Sequence, residues 1–324
     1  MKNVTALFKA SCNNDVVQSL FKIFVYNKLG GSLYATLEGD DFFENSLTIT
    51  SQATSSSSFN IGGVCAGKLT VTLTRAGVSK LKNASALRKG MCWKVVQWNK
   101  VADSSQSTKD FSKNTDGTEN TSGKCNLGVF YVSAVENNDY SCDITAYDGM
   151  LAFDKTVTSV NNQYMQQNKK TVAGWVDWIC GICVTGSYSF SYGVASGLPN
   201  SGMSFALSDD KTVSTYRDAL GYLSIISGGF CTFDENGAFL IKDYSYTPVS
   251  LGMSHKRLIT GKFDDKVSEI TAVYSSVAGF DFERSSTGSS DKNSVEISIS
   301  ENPFIRGLQP YNKSEMDSSV LTTL

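Results

Sequence analysis

Along most of the chain, apolar residues alternate with polar ones in short runs, and clusters of glycine, asparagine and serine break those runs. Alternation of this period places one set of side chains on each face of a strand. FKIFVYN and SLYATLE flank KLGG, which is a hairpin signal. Leu47 and Ile49 then alternate with threonines, and residues 53–58 form a polar, serine-rich connection. Phe59 and Ile61 alternate again and stop at Gly62-Gly63, where a bulge or tight turn costs little. Leu69, Val71 and Leu73 point one way while Lys68, Thr70, Thr72 and Thr74 point the other. MCWKVVQWN is a further strand, and LGVFYVSAVENNDYSCDITAYD is a second hairpin turning at Asn137-Asn138. Short strands with frequent turns predict a barrel or a sandwich.

The segment VADSSQSTKDFSKNTDGTENTSGK interrupts this series. It is polar and carries few apolar side chains, so a long mobile loop is expected over residues 103–124.

The period then changes. In TVAGWVDWICGICV, residues Val172, Trp175, Val176, Ile179, Cys180 and Cys183 share one helical face, and Thr171 is placed to cap the helix. A second helix is predicted at TYRDALGYLSIISGG. Thr215 and Asp218 have capping-box spacing, Tyr216, Ala219, Leu220, Leu223 and Ile226 form the stripe, and Gly228-Gly229 ends it. The hairpin FCTFDENGAFLIKDY follows at once, and GSYSFSYGVASGLPNSGMSFALSDD between the helices reads as irregular or weakly β. From about Tyr246 strands return in KRLITGKFDDKVSEITAVYSS and SVEISISENPFI. The order is β, then α/β, then β. It divides the chain into a first β domain (1–155), an α/β domain (156–245), a second β domain (246–305) and a C-terminal tail (306–324). RGLQPYNKSEMDSSVLTTL in that tail reads as a docking tail or the start of a further segment.

Composition agrees with a mainly β fold carrying an α/β insertion. At 324 residues the usual domain size gives about two or three domains. Hydrophobic residues make up 41%, enough for packed cores, and 27 glycines against four prolines fit turn-rich β structure. With 29 basic and 31 acidic residues the net charge is -2, which gives no electrostatic case for nucleic acid or an anionic membrane. No apolar run is long enough to span a bilayer, and MKNVTALFKASCNND lacks the apolar stretch of a secretory signal. Synthesis and folding in a cytoplasm are therefore expected. There the eight cysteines (Cys12, Cys65, Cys92, Cys125, Cys142, Cys180, Cys183 and Cys231) should be reduced, small core residues.

Chemistry is thinly represented. The one histidine, His255, sits beside two basic residues without a local nucleophile signature, so a catalytic triad would lack its usual surroundings. Cys180 and Cys183 form the one C-x-x-C, but they lie late in a helical stripe instead of at a helix start, where a redox motif lowers its thiol pKa. A zinc site would need a second pair. The aspartate pairs Asp40-Asp41, Asp209-Asp210 and Asp264-Asp265 read as solvated turn residues, because neighbours on an extended chain point to opposite sides. No residue is assigned as catalytic, cofactor-binding or metal-ligating, no cofactor is expected, and the chain is read as not an enzyme.

Five segments in order carry a resemblance. MKNVTALFKAS, FFENSLTITSQATSSSSFNIGGVCAGKLTVTL, LGVFYVSAVENNDYSCDITAYDGMLAFDK, TYRDALGYLSIISGGFCTFDENGAFLIKDY and ENPFI resemble the N-terminal hub region of tail-hub, or baseplate-hub, proteins. These belong to tailed phages and prophages of Gram-positive hosts. The resemblance runs to about Ile305. It implies two β-barrel-like domains flanking the α/β domain, and a homotrimeric ring that presents six similar units to a sixfold tail tube. It also implies a place at the virion tail tip, with a distal tail or tube protein on one side and a spike, fibre or lytic module on the other. Many relatives carry a C-terminal enzymatic or glycan-binding extension. The sequence given stops at Leu324, so such roles are not carried over. The competing classes are a tail-associated cell-wall hydrolase and a carbohydrate-binding β-rich surface protein.

Overall fold

The computed structural model describes residues 4–14, 16–51, 62–138, 140–209, 211–243 and 302–306, and the backbone of 269–277, 280–285 and 294–298. The helix α1 (Ala6–Ser11) leads into a sheet of seven strands: β1 (Ser19–Tyr26), β2 (Leu33–Glu38), β3 (Thr48–Thr50), β4 (Lys68–Leu73), β5 (Cys92–Asn99), β6 (Lys124–Asn137) and β7 (Cys142–Tyr147). Their order is β2-β1-β5-β6-β7-β4-β3, and every ladder is antiparallel. Both expected hairpins are present, β1–β2 and β6–β7.

Among the described residues no ladder joins β2 to β3, so the sheet is open and not a closed barrel. It is nevertheless curled. A 3₁₀ turn (Gly39–Asp41) carries the chain from β2 to the far side of the sheet, where Phe42 bridges Leu73. There Phe43 N donates to Thr72 O at 3.0 Å and Thr74 N to Asp41 O at 3.0 Å. One core accordingly holds Ala35 and Leu37 from β2 together with Val71 and Leu73 from β4. Helix α2 (Arg75–Asn83) covers one end of that core through Leu81 and Val78. It approaches the 3₁₀ turn so closely that a Cβ on Gly77 would meet the Asp41 carbonyl. Asp41 is therefore not a solvated turn residue: it is buried, its carboxylate accepts from Glu38 N, and it pairs with Lys80 at 2.6 Å.

The next unit contains α3 (Ser159–Gln167), β8 (Lys170–Thr171), α4 (Val172–Cys183), β9 (Tyr192–Val194), β10 (Ser204–Phe205), α5 (Tyr216–Ile226), β11 (Gly229–Phe233) and β12 (Phe239–Asp243). β12 pairs antiparallel with β11 and parallel with β9, while β8 and β10 form a separate pair. The whole apolar stripe of α4 is buried, as is that of α5. Gly237 takes φ +83° in the β11–β12 turn, and Asp234 accepts from the Asn236 and Ala238 N–H groups beside it.

Each of the helices α1 to α5 starts on a threonine. Thr5, Thr74, Thr158, Thr171 and Thr215 accept from the backbone N–H three residues on, which satisfies a donor that the helix cannot. Only the last two of these caps are legible beside an apolar stripe. Beyond this unit, β13 (Glu269–Val277), β14 (Phe280–Ser285) and β15 (Ser294–Ser298) form a sheet in the order β14-β13-β15, with β13 and β15 parallel, before the short helix α6 (Pro303–Arg306).

Residues 103–124 are not the mobile loop that their composition implies. Three Asp-x-Ser/Thr triplets each fold on themselves. Asp103, Asp110 and Asp116 accept from both the backbone N–H and the hydroxyl of Ser105, Ser112 and Thr118. The buried Gln106 amide accepts from Val101 N at 2.9 Å and donates to the Asn99 and Phe111 carbonyls at 2.9 and 3.1 Å. Trp98 donates its indole N–H to Asn120 O at 2.9 Å. Lys22 then ties the loop to the sheet, pairing with Glu38 at 2.7 Å and Asp110 at 3.2 Å. Burial by itself would lower the Lys22 pKa, but hydrogen bonds and charge from Glu38 and Asp110 outweigh it and raise the pKa. Limited trypsin digestion should therefore leave the exposed Lys109 and Lys113 uncut in the native chain. Gln106→Ala strands buried partners, at about 1–3 kcal/mol for each unpaired group, and should speed cutting there at least ~10-fold.

Candidate functional site

The feature with the most converging groups is the seam between the seven-stranded sheet and the α/β unit. β5 and β6 are buried on both faces. Trp93, Val95, Phe130 and Val132 enter the curled core, whereas Cys92, Val129 and Tyr131 enter the core of α4, α5 and β12. Burial on both faces explains why GVFYV shows no alternation.

Backbone pairing reinforces the seam. Gly62 N donates to Gly229 O at 2.9 Å and Cys231 N to Gly63 O at 2.8 Å. The double glycine thus bonds to β11 between units, and Gly62 makes the expected bend there with φ +87°. Asp148 closes the seam from below β7. Its carboxylate accepts from Gly67 N at 2.7 Å and Met150 N at 3.0 Å, capping the 3₁₀ stretch Gly149–Asp154. Burial pushes this carboxyl up to about 6, against the Gly67 and Met150 N–H groups and the Arg217 charge, which pull it down. Beside it a cleft of about 500 Å³ opens between Ile49, Val129 and Phe130 on one wall and Phe233, Asp234 and Lys242 on the other. Nothing in the sequence pattern marks Asp148 except its place before a glycine at a strand end.

Both Asp148 oxygens are committed to backbone donors, so the group works as a staple. The residues weighed from sequence do not converge on this cleft. Cys180 and Cys183 are buried in α4, and burial raises both thiols, Cys183 to about 12. Asp40 and Asp41 lie at the other end of the first sheet, beside α2. His255, Asp210, Asp264, Asp265, Phe59, Ile61 and residues 307–324 lie outside the described residues. Among the described residues no group of three His, Cys, Asp or Glu side chains is placed to hold a metal ion, and no helix is long and apolar enough to cross a membrane.

No family model and no curated protein matches the chain. Among solved structures it is similar to the 43 kDa tail protein of prophage MuSo2 from Shewanella oneidensis, at 15% identity and a TM-score of 0.43, covering 88% of this chain and 76% of that one. It is also similar to a tail protein from Neisseria meningitidis MC58, at 11% identity and a TM-score of 0.46, covering 86% and 71% respectively. Likeness at this level leaves fold and function to be argued from the residues.

Two outcomes follow from the seam. Between its ordinary value of 3.8 and about 6, the folded Asp148 keeps a proton that the unfolded chain has lost. Its contribution to stability therefore falls as pH rises through that window, by about 3 kcal/mol at most. Denaturant midpoints should show the native chain gaining on Asp148→Asn between pH 7 and pH 4.5, and a difference that is flat with pH would refute the assignment. The cysteines give the second outcome. All eight are free and six are buried, with Cys12 exposed and Cys65 half-buried. A thiol reagent should label Cys12 fast, Cys65 slowly and the other six only on unfolding.

Proposed function

We propose that the chain is a structural hub protein of a phage or prophage tail, three copies of which form a ring matching a sixfold tube to a threefold tip. The observation that carries this reading is the serial placement of the five hub-like segments. They fall in order on α1, on β3 with β4, on β6 with β7, on α5 with β11 and β12, and on α6. Each segment alone is unspecific. Their order along the chain is the order that the hub resemblance implies, and it supports the reading. Both solved structures described above are tail proteins, which agrees with the reading without carrying it.

A curled sheet with two open edges suits a ring sector. Among the described residues β2 and β3 are each paired with one strand only, and a strand edge of this kind must be covered or blunted. In a closed ring, neighbouring sectors cover them, and closure prevents filaments. Two β units per chain, repeated three times, give six sectors for a sixfold tube. The proposed partners are therefore two further copies of the chain, a distal tail or tube protein, and a spike, fibre or lytic module. The site is the virion tail tip. The reading assigns no catalysis to the chain. Electron microscopy of assembled tails should find three copies in one ring, with both β units in it and the α/β unit at its periphery. Six copies per tail, or one β unit outside the ring, would defeat the proposal.

A further inference from the structure

Residues 302–304 are remote in sequence from residues 156–243 but lie inside their core. Phe304 is 0% exposed and belongs to the same apolar cluster as Trp175, Phe205, Tyr216 and Leu223. Its ring meets Trp175 edge-on, with centroids 5.9 Å apart and planes at 64°. Polar contacts hold the backbone on either side. Ser208 N donates to Pro303 O at 3.0 Å, and the Asn302 Nδ2 donates to Tyr222 O at 2.8 Å. The other end of the same amide, Asn302 Oδ1, accepts from Phe304 N at 3.1 Å and so starts α6. Asn302 is itself 3% exposed, which makes it a buried amide with both ends used.

We infer that the α/β unit is discontinuous. Its core is completed by residues 302–304 only after the chain has made β13, β14 and β15, and Asn302 to Phe304 act as a strap holding that second β unit at its far end. The near end is held already, because the chain leaves the α/β unit from β12, a strand paired on both sides. A unit joined by one linker is free to turn about it, whereas one joined at both ends is confined. Releasing the strap requires drawing a fully buried phenylalanine out of its packing and leaving the Ser208 N–H and the Tyr222 carbonyl without these partners. The inference does not depend on assembly into a tail.

The test uses the full chain. Cys180 and Cys183 lie in the cluster that Phe304 completes, so their native-state labelling reports its opening. Phe304→Ala should raise that labelling on the order of a hundredfold, and Phe304→Leu should restore most of the protection. Hydrogen exchange should rise in α4 and α5 and stay unchanged in β1 to β4. Small-angle scattering should show a longer maximum dimension for Phe304→Ala as the second β unit is freed. Wild-type labelling rates in Phe304→Ala would overturn the strap as part of the core. Loosened thiols with an unchanged maximum dimension would overturn its role in confining the second β unit. Should Phe304→Ala fail to fold, Asn302→Ala removes only the polar tether and should raise labelling about tenfold and lengthen the maximum dimension, and no change in it would overturn the inference.

Discussion

Two-sided burial of β5 and β6 is the constraint on which the rest of the molecule depends. Successive side chains on a strand point to opposite faces, so a slip of one residue would move Val129 and Tyr131 into the curled core and Phe130 and Val132 out of it. With a core on each face, neither set can be exchanged for the other. The register of the sheet and the docking of the α/β unit are thus fixed by the same residues. The irregularity between Val95 and Val96 falls opposite Gly128, so the ribbon departs from ideal pairing where it must serve both cores.

Order does not always follow from apolar content. Residues 103–124 lack the side chains to bury a large apolar surface, and on that ground alone they belong to a mobile loop. They are instead held by short-range bonds that need little loop closure: Asp103 to Ser105, Asp110 to Ser112, Asp116 to Thr118. Local closure of this kind costs less entropy than a distant contact, so a few buried amides such as Gln106 and Asn120 suffice to complete the packing. The repeated Asp-x-Ser/Thr spacing is the signal that composition conceals.

Much of the fold was legible because the relevant signals are local. Alternation placed β1, β2, β4 and β7, the 3.6-residue period placed α4 and α5 together with their threonine caps, and Asp-x-Asn-Gly marked the β11–β12 turn. Helices α1, α2 and α3 were missed because they are short and only one side of each packs, as with Leu81 in α2. Long-range relations were the least legible. No window containing Gly62 and Gly63 shows that they pair with β11, and none containing Asp148 shows that its oxygens will meet Gly67 and Met150. The aspartate pair at 40 and 41 misled for the same reason, since the partner of Asp41 is Lys80 on α2.

The seam is built for stiffness more than for chemistry. An apolar contact through Cys92, Val129 and Tyr131 resists separation but tolerates sliding, because dispersion and burial have little direction. The two backbone bonds between residues 62–63 and β11 remove the sliding, since they hold only at one register. The Asp148 carboxylate adds a third fixed point, and its burial excludes the water that would otherwise compete for Gly67 and Met150. Together these contacts fix the α/β unit to the seven-stranded sheet in one register and one orientation. A catalytic cleft needs accurate placement of a few atoms, whereas contacts of this kind hold whole units against one another. The directional contacts of this seam are spread along its length, at residues 62–63, at β11 and at Asp148, and not gathered at one point.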